Sequence, residues 1–165
     1  MIKDIQNLTD NSEYLSLYPA RILVVQTLYS IDILNKKKDI EQISLDYIEY
    51  HVEKYSNQNL DEKFYYELLS STIDNTSSID ELIRTNLNKK WRLERLPKLV
   101  LAILRVGIAD ISIMNHLEVA TIINDYLQIT KSLNHSEELG FINSILDKIA
   151  KDLKRDVELS ICNIL

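Results

Sequence analysis

Two glycines in 165 residues, Gly107 and Gly140, leave this chain few architectures to choose from. Tight hairpins and phosphate-cradling loops both depend on residues that accept positive φ, and here there is little room for either. No Gly-rich nucleotide fingerprint occurs, so nucleotide-dependent chemistry is not expected. Apolar residues instead recur at helical spacing almost throughout, which predicts an all-α fold. A hydrophobic fraction of 45% over this length is enough for a real core.

The helices can be read from their stripes. From Pro19 to about residue 35, Ile22, Val25, Tyr29 and Ile33 form one stripe, widened by Val24, Leu28 and Ile31. Pro19 suits a first turn, where its missing N–H costs nothing. Residues 1–15 are read as an N-terminal extension to a single domain of 16–165. Asp39 opens a second helix with Leu45, Ile48, Val52 and Tyr55 inward, followed by a loop at 56–59. Asp61 caps a third helix carrying Phe64, Leu68, Leu69 and Ile73, which breaks at Asn75–Ser78. Ser78 with Glu81 forms a capping-box pattern for a short fourth helix. Leu96-Pro97 marks the entry to a helix running to about Met114, apolar on almost every face and therefore central. Two more follow, from Glu118 to about residue 133 and from a Ser136 cap through Phe141, Ile145, Leu146 and Ile149.

Charge and composition narrow the function. A net charge of −6 and a pI near 5.1 argue against binding nucleic acid through bulk electrostatics. RNA binding by such a chain is local or shared with a basic partner. Arg105 and Asp110 interrupt the apolar run from Leu99 to Met114, so no membrane span is expected, and no signal peptide is visible. Cys162 is alone, which excludes a disulfide framework and suits a reducing cytoplasm. His51, His116 and His135 lack metal-ligand spacing and read as surface or boundary residues. No nucleophile–base constellation or cofactor motif appears, so neither catalysis nor a cofactor is expected.

Several strings, taken in order, resemble the NusB family. They are Ala20-Arg21 with Val25-Gln26-Thr27-Leu28-Tyr29, then Asp61 with Phe64-Tyr65-Tyr66-Glu67-Leu68-Leu69, and Ile79-Asp80. Trp91-Arg92-Leu93-Glu94-Arg95-Leu96 follows, with Ala102-Ile103-Leu104-Arg105-Val106-Gly107, Ile123-Asn124-Asp125 and Phe141 through Ile149. The resemblance covers roughly residues 18 to 150. It implies two three-helix lobes packed at a steep angle, with an additional helix. It also implies a transcription antitermination or termination factor that binds boxA-type RNA of nascent ribosomal RNA transcripts together with the ribosomal protein NusE, within the RNA polymerase antitermination complex. The alternative is a divergent interaction module of the same fold that has lost RNA.

The resemblance also nominates residues. Arg21, Tyr29 and Phe141 match family positions at the RNA, and Glu137 matches an acidic position at the start of the last helix. Tyr29 and Glu94 match partner positions. Gln26, one turn before Tyr29 on the same face, can reach the same RNA, so Arg21, Gln26, Tyr29, Glu137 and Phe141 are the RNA-binding candidates. Arginine pairs with phosphate, and aromatic rings stack on bases. The plainer roles are a solvated charge for Arg21, core packing for Tyr29 and Phe141, and a helix-dipole contact for Glu137. Arg105, set in an apolar helix, is expected to pair with Asp125 or Asp147. Val100-Leu101 stand where the family has an acidic–basic pair, and Val100, if exposed, would favour a protein partner.

Overall fold

The computed structural model describes the backbone of residues 2–35, 39–54, 60–114 and 119–162, and side chains within 17–35, 39–54, 60–114 and 119–154. The described residues form seven α-helices and no strand. The chain divides into two compact units, Met1–Ser70 and Ser71–Leu165.

Unit 1 holds α1 (Ile2–Leu34), α2 (Ile40–Lys54) and the first part of α3 (Glu62–Asp74). Pro19 lies inside α1 rather than in its first turn, because the helix is already formed ahead of it. An interior proline forfeits one backbone hydrogen bond. Leu17, Ala20, Leu23, Val24, Val25, Leu28 and Ile31 of α1 are buried, whereas Ile33 is 49% exposed. Residues Leu17–Leu34 are long and apolar enough to cross a membrane by length and composition, contrary to the expectation from sequence; 56% of that window is buried within the protein. The window therefore reads as a core helix.

The inward face of α2 differs from the one expected. Ile43, Ser44, Ile48 and His51 are buried, while Leu45 and Val52 lie outside at 41% and 53% exposure. A short helix with apolar residues on several sides has no single phase, and packing against α1 selected the face containing Ile43 and Ile48. Tyr55, the loop at 56–59, Lys36–Lys38 and Glu118 lie outside the described residues. The Asp61 cap forms, with its carboxylate accepting from the Phe64 N–H at 2.9 Å. Inside unit 1, Tyr65 is fully buried and its hydroxyl lies 2.8 Å from Thr27 Oγ1. Burial pushes the Tyr65 phenol pKa up, against the opposing hydrogen bonds from Ser44 and Thr27.

Unit 2 holds α4 (Thr76–Asn86), α5 (Lys98–Ile113), α6 (Val119–Ser132) and α7 (Leu139–Cys162), with 3-10 turns at Leu93–Arg95 and Ser136–Glu138. Pro97 stands immediately before α5. This helix is central as expected: α4, α6 and α7 all pack on it, and Val100, Ala102, Ile103, Leu104, Val106 and Ile108 are fully buried. The burial of Val100 removes it as a partner surface. Where α5 meets α7, a Cβ added to Gly107 would sit 3.1 Å from Leu146 Cδ2. α6 ends with Asn134 at φ 61°. There the Asn134 N–H donates to the Lys131 carbonyl at 3.1 Å and the His135 N–H to the Thr130 carbonyl at 3.0 Å, which completes a left-handed cap.

Two expected caps do not form. α4 begins at Thr76, with Ser78 inside it and Asn75 preceding it without a side-chain cap bond. Ser136 falls in the 3-10 turn ahead of α7 and does not cap it. In both places the chain starts its turn earlier than the serine rule assumes. Arg105 meets a carboxylate that the sequence did not nominate: its Nε and Nη2 donate to Asp80 Oδ1 and Oδ2, both at 2.8 Å. The packing of α4 on α5 brings Asp80 there, while Asp147 is exposed and bound to Lys151 at 2.7 Å. A second buried carboxylate, Asp110, accepts from the Tyr126 hydroxyl at 2.8 Å.

The side chains of Arg105 and Asp80 are only 12% and 14% exposed, so removing Asp80 takes a bidentate carboxylate from a guanidinium that water reaches poorly. Asp80→Ala is expected to lower stability by roughly 3 kcal/mol, and the double change Asp80→Leu/Arg105→Met by less, in urea unfolding. His51 is buried, correcting its reading as a surface or boundary residue, and burial lowers its pKa from 6.5. The unfolded chain therefore takes up a proton that the folded chain resists, so this contribution is present above 6.5 and lost as pH falls below it. Wild-type stability should drop as pH falls below 6.5, and His51→Leu should flatten that part of the unfolding-versus-pH curve.

Candidate nucleic-acid interface

In unit 1, helical phase decides which residues can meet a ligand. Of the stripe read from sequence as core, Val25 is fully buried, but Ile22 and Tyr29 are half-buried and Ile33 is exposed. Gln26 beside them is half-buried too, so this side of α1 is mostly accessible. Gln26 and Tyr29 lie one turn apart along it, as neighbours on a helix surface do. Arg21 does not join them. It is in phase with Val24, Val25 and Leu28 and is fully buried, with its guanidinium carbon 5.7 Å from the centroid of the Phe64 ring. Both sequence readings of Arg21, as a phosphate contact and as a solvated charge, are therefore corrected. It belongs to the interior of unit 1.

Unit 2 carries the remaining candidates. Phe141 sits in the first turn of α7, half-buried, with its ring 5.5 Å from that of Trp91 at a 38° tilt. Trp91, which sequence reasoning quoted but did not single out, is 52% exposed. Its position follows from the segment between α4 and α5. The Trp91 N–H donates to the Asn88 carbonyl at 2.8 Å, and Leu93 and Leu96 just beyond are buried anchors. Trp91 and Phe141 line an open cleft of about 500 Å³ with Asn86, Asn88, Ser144 and Lys148. Phe141, Ser144 and Lys148 recur at helical spacing on one face of α7.

Glu94 is exposed and lies 3.5 Å from Arg84, which also reaches Glu81 at 3.3 Å. Glu137 is exposed in the 3-10 turn before α7, where a carboxylate suits the helix dipole. Its neighbour Glu138 lies 3.4 Å from His135, an ion pair only when that histidine is protonated. Thus Gln26 and Tyr29 share one surface of unit 1, Phe141 and Glu94 belong to unit 2, and Arg21 is on neither surface. Among the described residues no cluster of His, Cys, Asp or Glu stands ready to hold a metal ion.

These features define an all-helical binding scaffold with accessible aromatic and polar side chains on two helical units. Residues 18–151 match the NusB family, and the chain belongs to it. The transcription antitermination protein NusB of Caulobacter vibrioides is 33% identical over 137 residues, covering 82% of this chain and 92% of the relative. That of Borreliella burgdorferi is 33% identical over 150 residues, covering 86% and 99%. Among solved structures, one described as a plectonemic RNA supercoil matches with TM-score 0.72 and 22% identity, over 84% of this chain and 96% of the other. Another, of the antitermination factors NusB and NusE in complex with dsRNA, matches with TM-score 0.69 and 20% identity, over 83% and 97%. The fold is that of these structures.

Trp91 is the chain's single tryptophan, so its emission reports on the Phe141 contact directly. Phe141→Ala is expected to shift that emission to longer wavelength and to cost about 1 kcal/mol of stability beyond lost area. An unchanged emission maximum would show that the two rings do not touch in solution.

Proposed function

We propose that this protein is a transcription antitermination factor that binds boxA-type RNA of nascent ribosomal RNA transcripts together with NusE, as part of the RNA polymerase antitermination complex. It acts by stoichiometric binding, without catalysis, in the cytoplasm. Family membership over residues 18–151 supports this reading, as do relatives that carry the antitermination name. The observation that carries it furthest is the accessible Gln26–Tyr29 face of α1, a stacking ring and an amide one helical turn apart on an otherwise acidic protein.

With a net charge of −6, tight binding to a polyanion depends on a local basic patch or on a basic companion. The protein alone should hold boxA-type RNA weakly, and NusE should tighten the complex. A second reading, the interaction module that has lost RNA, draws on the burial of Arg21, which removes one expected phosphate contact. It predicts that NusE binds while RNA is not retained at physiological salt.

Binding of labelled boxA-type RNA, with and without NusE across a salt series, separates the two. Tyr29→Asp is expected to weaken the ternary complex at least roughly tenfold, as loss of a stacked base would, with unchanged helicity by circular dichroism. Wild-type affinity for RNA that ignores NusE would overturn the primary reading.

A further inference from the structure

The strongest local reversal of charge in this acidic chain lies between α4 and α5. Five of its 19 Lys and Arg fall in residues 88–98, against one of its 25 Asp and Glu. That one acid, Glu94, is within 3.5 Å of Arg84, which lies outside the segment. Lys89, Lys90 and Arg92 are exposed and flank Trp91 directly in sequence. Ion pairs among the described residues leave them, and Lys148, unengaged. Lys148 enters the same cleft from α7, and Asn86 and Asn88 supply amide groups to its wall.

We propose that this segment and the adjoining face of α7 form a docking site for single-stranded RNA, in which Trp91 takes a base on its open face and Lys89, Lys90, Arg92 and Lys148 take neighbouring phosphates. Trp91 and Phe141 already touch, so a base does not enter between them. Phe141 backs the indole from behind, and more than half of the Trp91 surface remains open. An exposed tryptophan framed by cations matches the two demands of an unpaired strand, a π-face for the base and positive charge for the backbone. A duplex keeps its base faces stacked inside and cannot use such a platform. The Asn88 amide offers both a donor and an acceptor, which a base edge can meet. The inference rests on the RNA-binding function proposed above and extends it in unit 2, from Phe141 to Trp91, Lys89, Lys90, Arg92 and Lys148, which the sequence did not nominate.

The test uses the full-length protein, free and with NusE, and a labelled single-stranded boxA-type oligoribonucleotide, with a duplex of equal length as control. The single strand should quench Trp91 emission saturably and the duplex should not, with a Trp91→Phe protein as the blank in complexes containing NusE. Trp91→Ala should weaken binding about 5- to 100-fold, whereas Trp91→Phe should keep most of it. Lys89→Gln/Lys90→Gln should lower the slope of log affinity against log salt by about 1.4, the value for two single-strand phosphates. These changes should leave circular dichroism and NusE binding intact. RNA that binds wild-type and variant proteins alike, without touching Trp91 emission, would overturn this site while leaving the antitermination function standing. Quenching by NusE alone, with no further change on adding RNA, would make the cleft a protein seat and overturn the proposal too. Failure of the wild-type complex to bind RNA at all would sink both.

Discussion

The structure of unit 2 depends on keeping α5 dry on nearly every side. A helix whose surface from Val100 to Ile111 is almost wholly apolar gains stability only when other helices enclose it, and α4, α6 and α7 do so. Enclosure then creates its own demand. Arg105 and Asp110 project from the same helix into surroundings that cannot solvate a charge, so each requires a specific partner at hydrogen-bonding distance. Asp80 on α4 and Tyr126 on α6 meet that demand. The hydrophobic effect sets which helices gather, and these two polar contacts help fix the register at which α4 and α6 come to rest.

Much of this was legible beforehand. The apolar run through Leu104 and Ile108 announced a central helix, and Pro97 marked its start. Asp61 was visible as a cap because its carboxylate has one obvious local job. Less visible was anything decided by tertiary proximity. Arg105 clearly needed a carboxylate, but no spacing rule nominates Asp80, which lies on a different helix. The face of α2 was misphased for a related reason: Leu45 and Val52 are as apolar as Ile43 and Ile48, and only the neighbouring helix chooses between them.

Arg21 shows how a functional expectation can outrun helical geometry. Residues three, four and seven positions beyond it are Val24, Val25 and Leu28, all buried, so the phase of α1 already placed its side chain inward. An arginine is expected at a surface, and that general expectation obscured the local one. Trp91 failed in the opposite direction. A search for unbroken basic runs passes over Lys89-Lys90-Trp91-Arg92, because the indole interrupts the charge, yet that interruption is what combines a stacking face with cations.

Gly107 deserves to be read together with the surface of α7. It contributes no side chain, and that omission lets Leu146 of α7 and Tyr126 of α6 seat against the α5 backbone. The same α7 carries Phe141, Ser144 and Lys148 to the cleft beside Trp91. A single interior hydrogen atom thus acts as a spacer that sets the stance of the outer wall. A methyl group added at that point would ask the Leu146 side chain to give by a few tenths of an ångström. The gap at the protein's edge is governed by a residue that has no chemistry of its own.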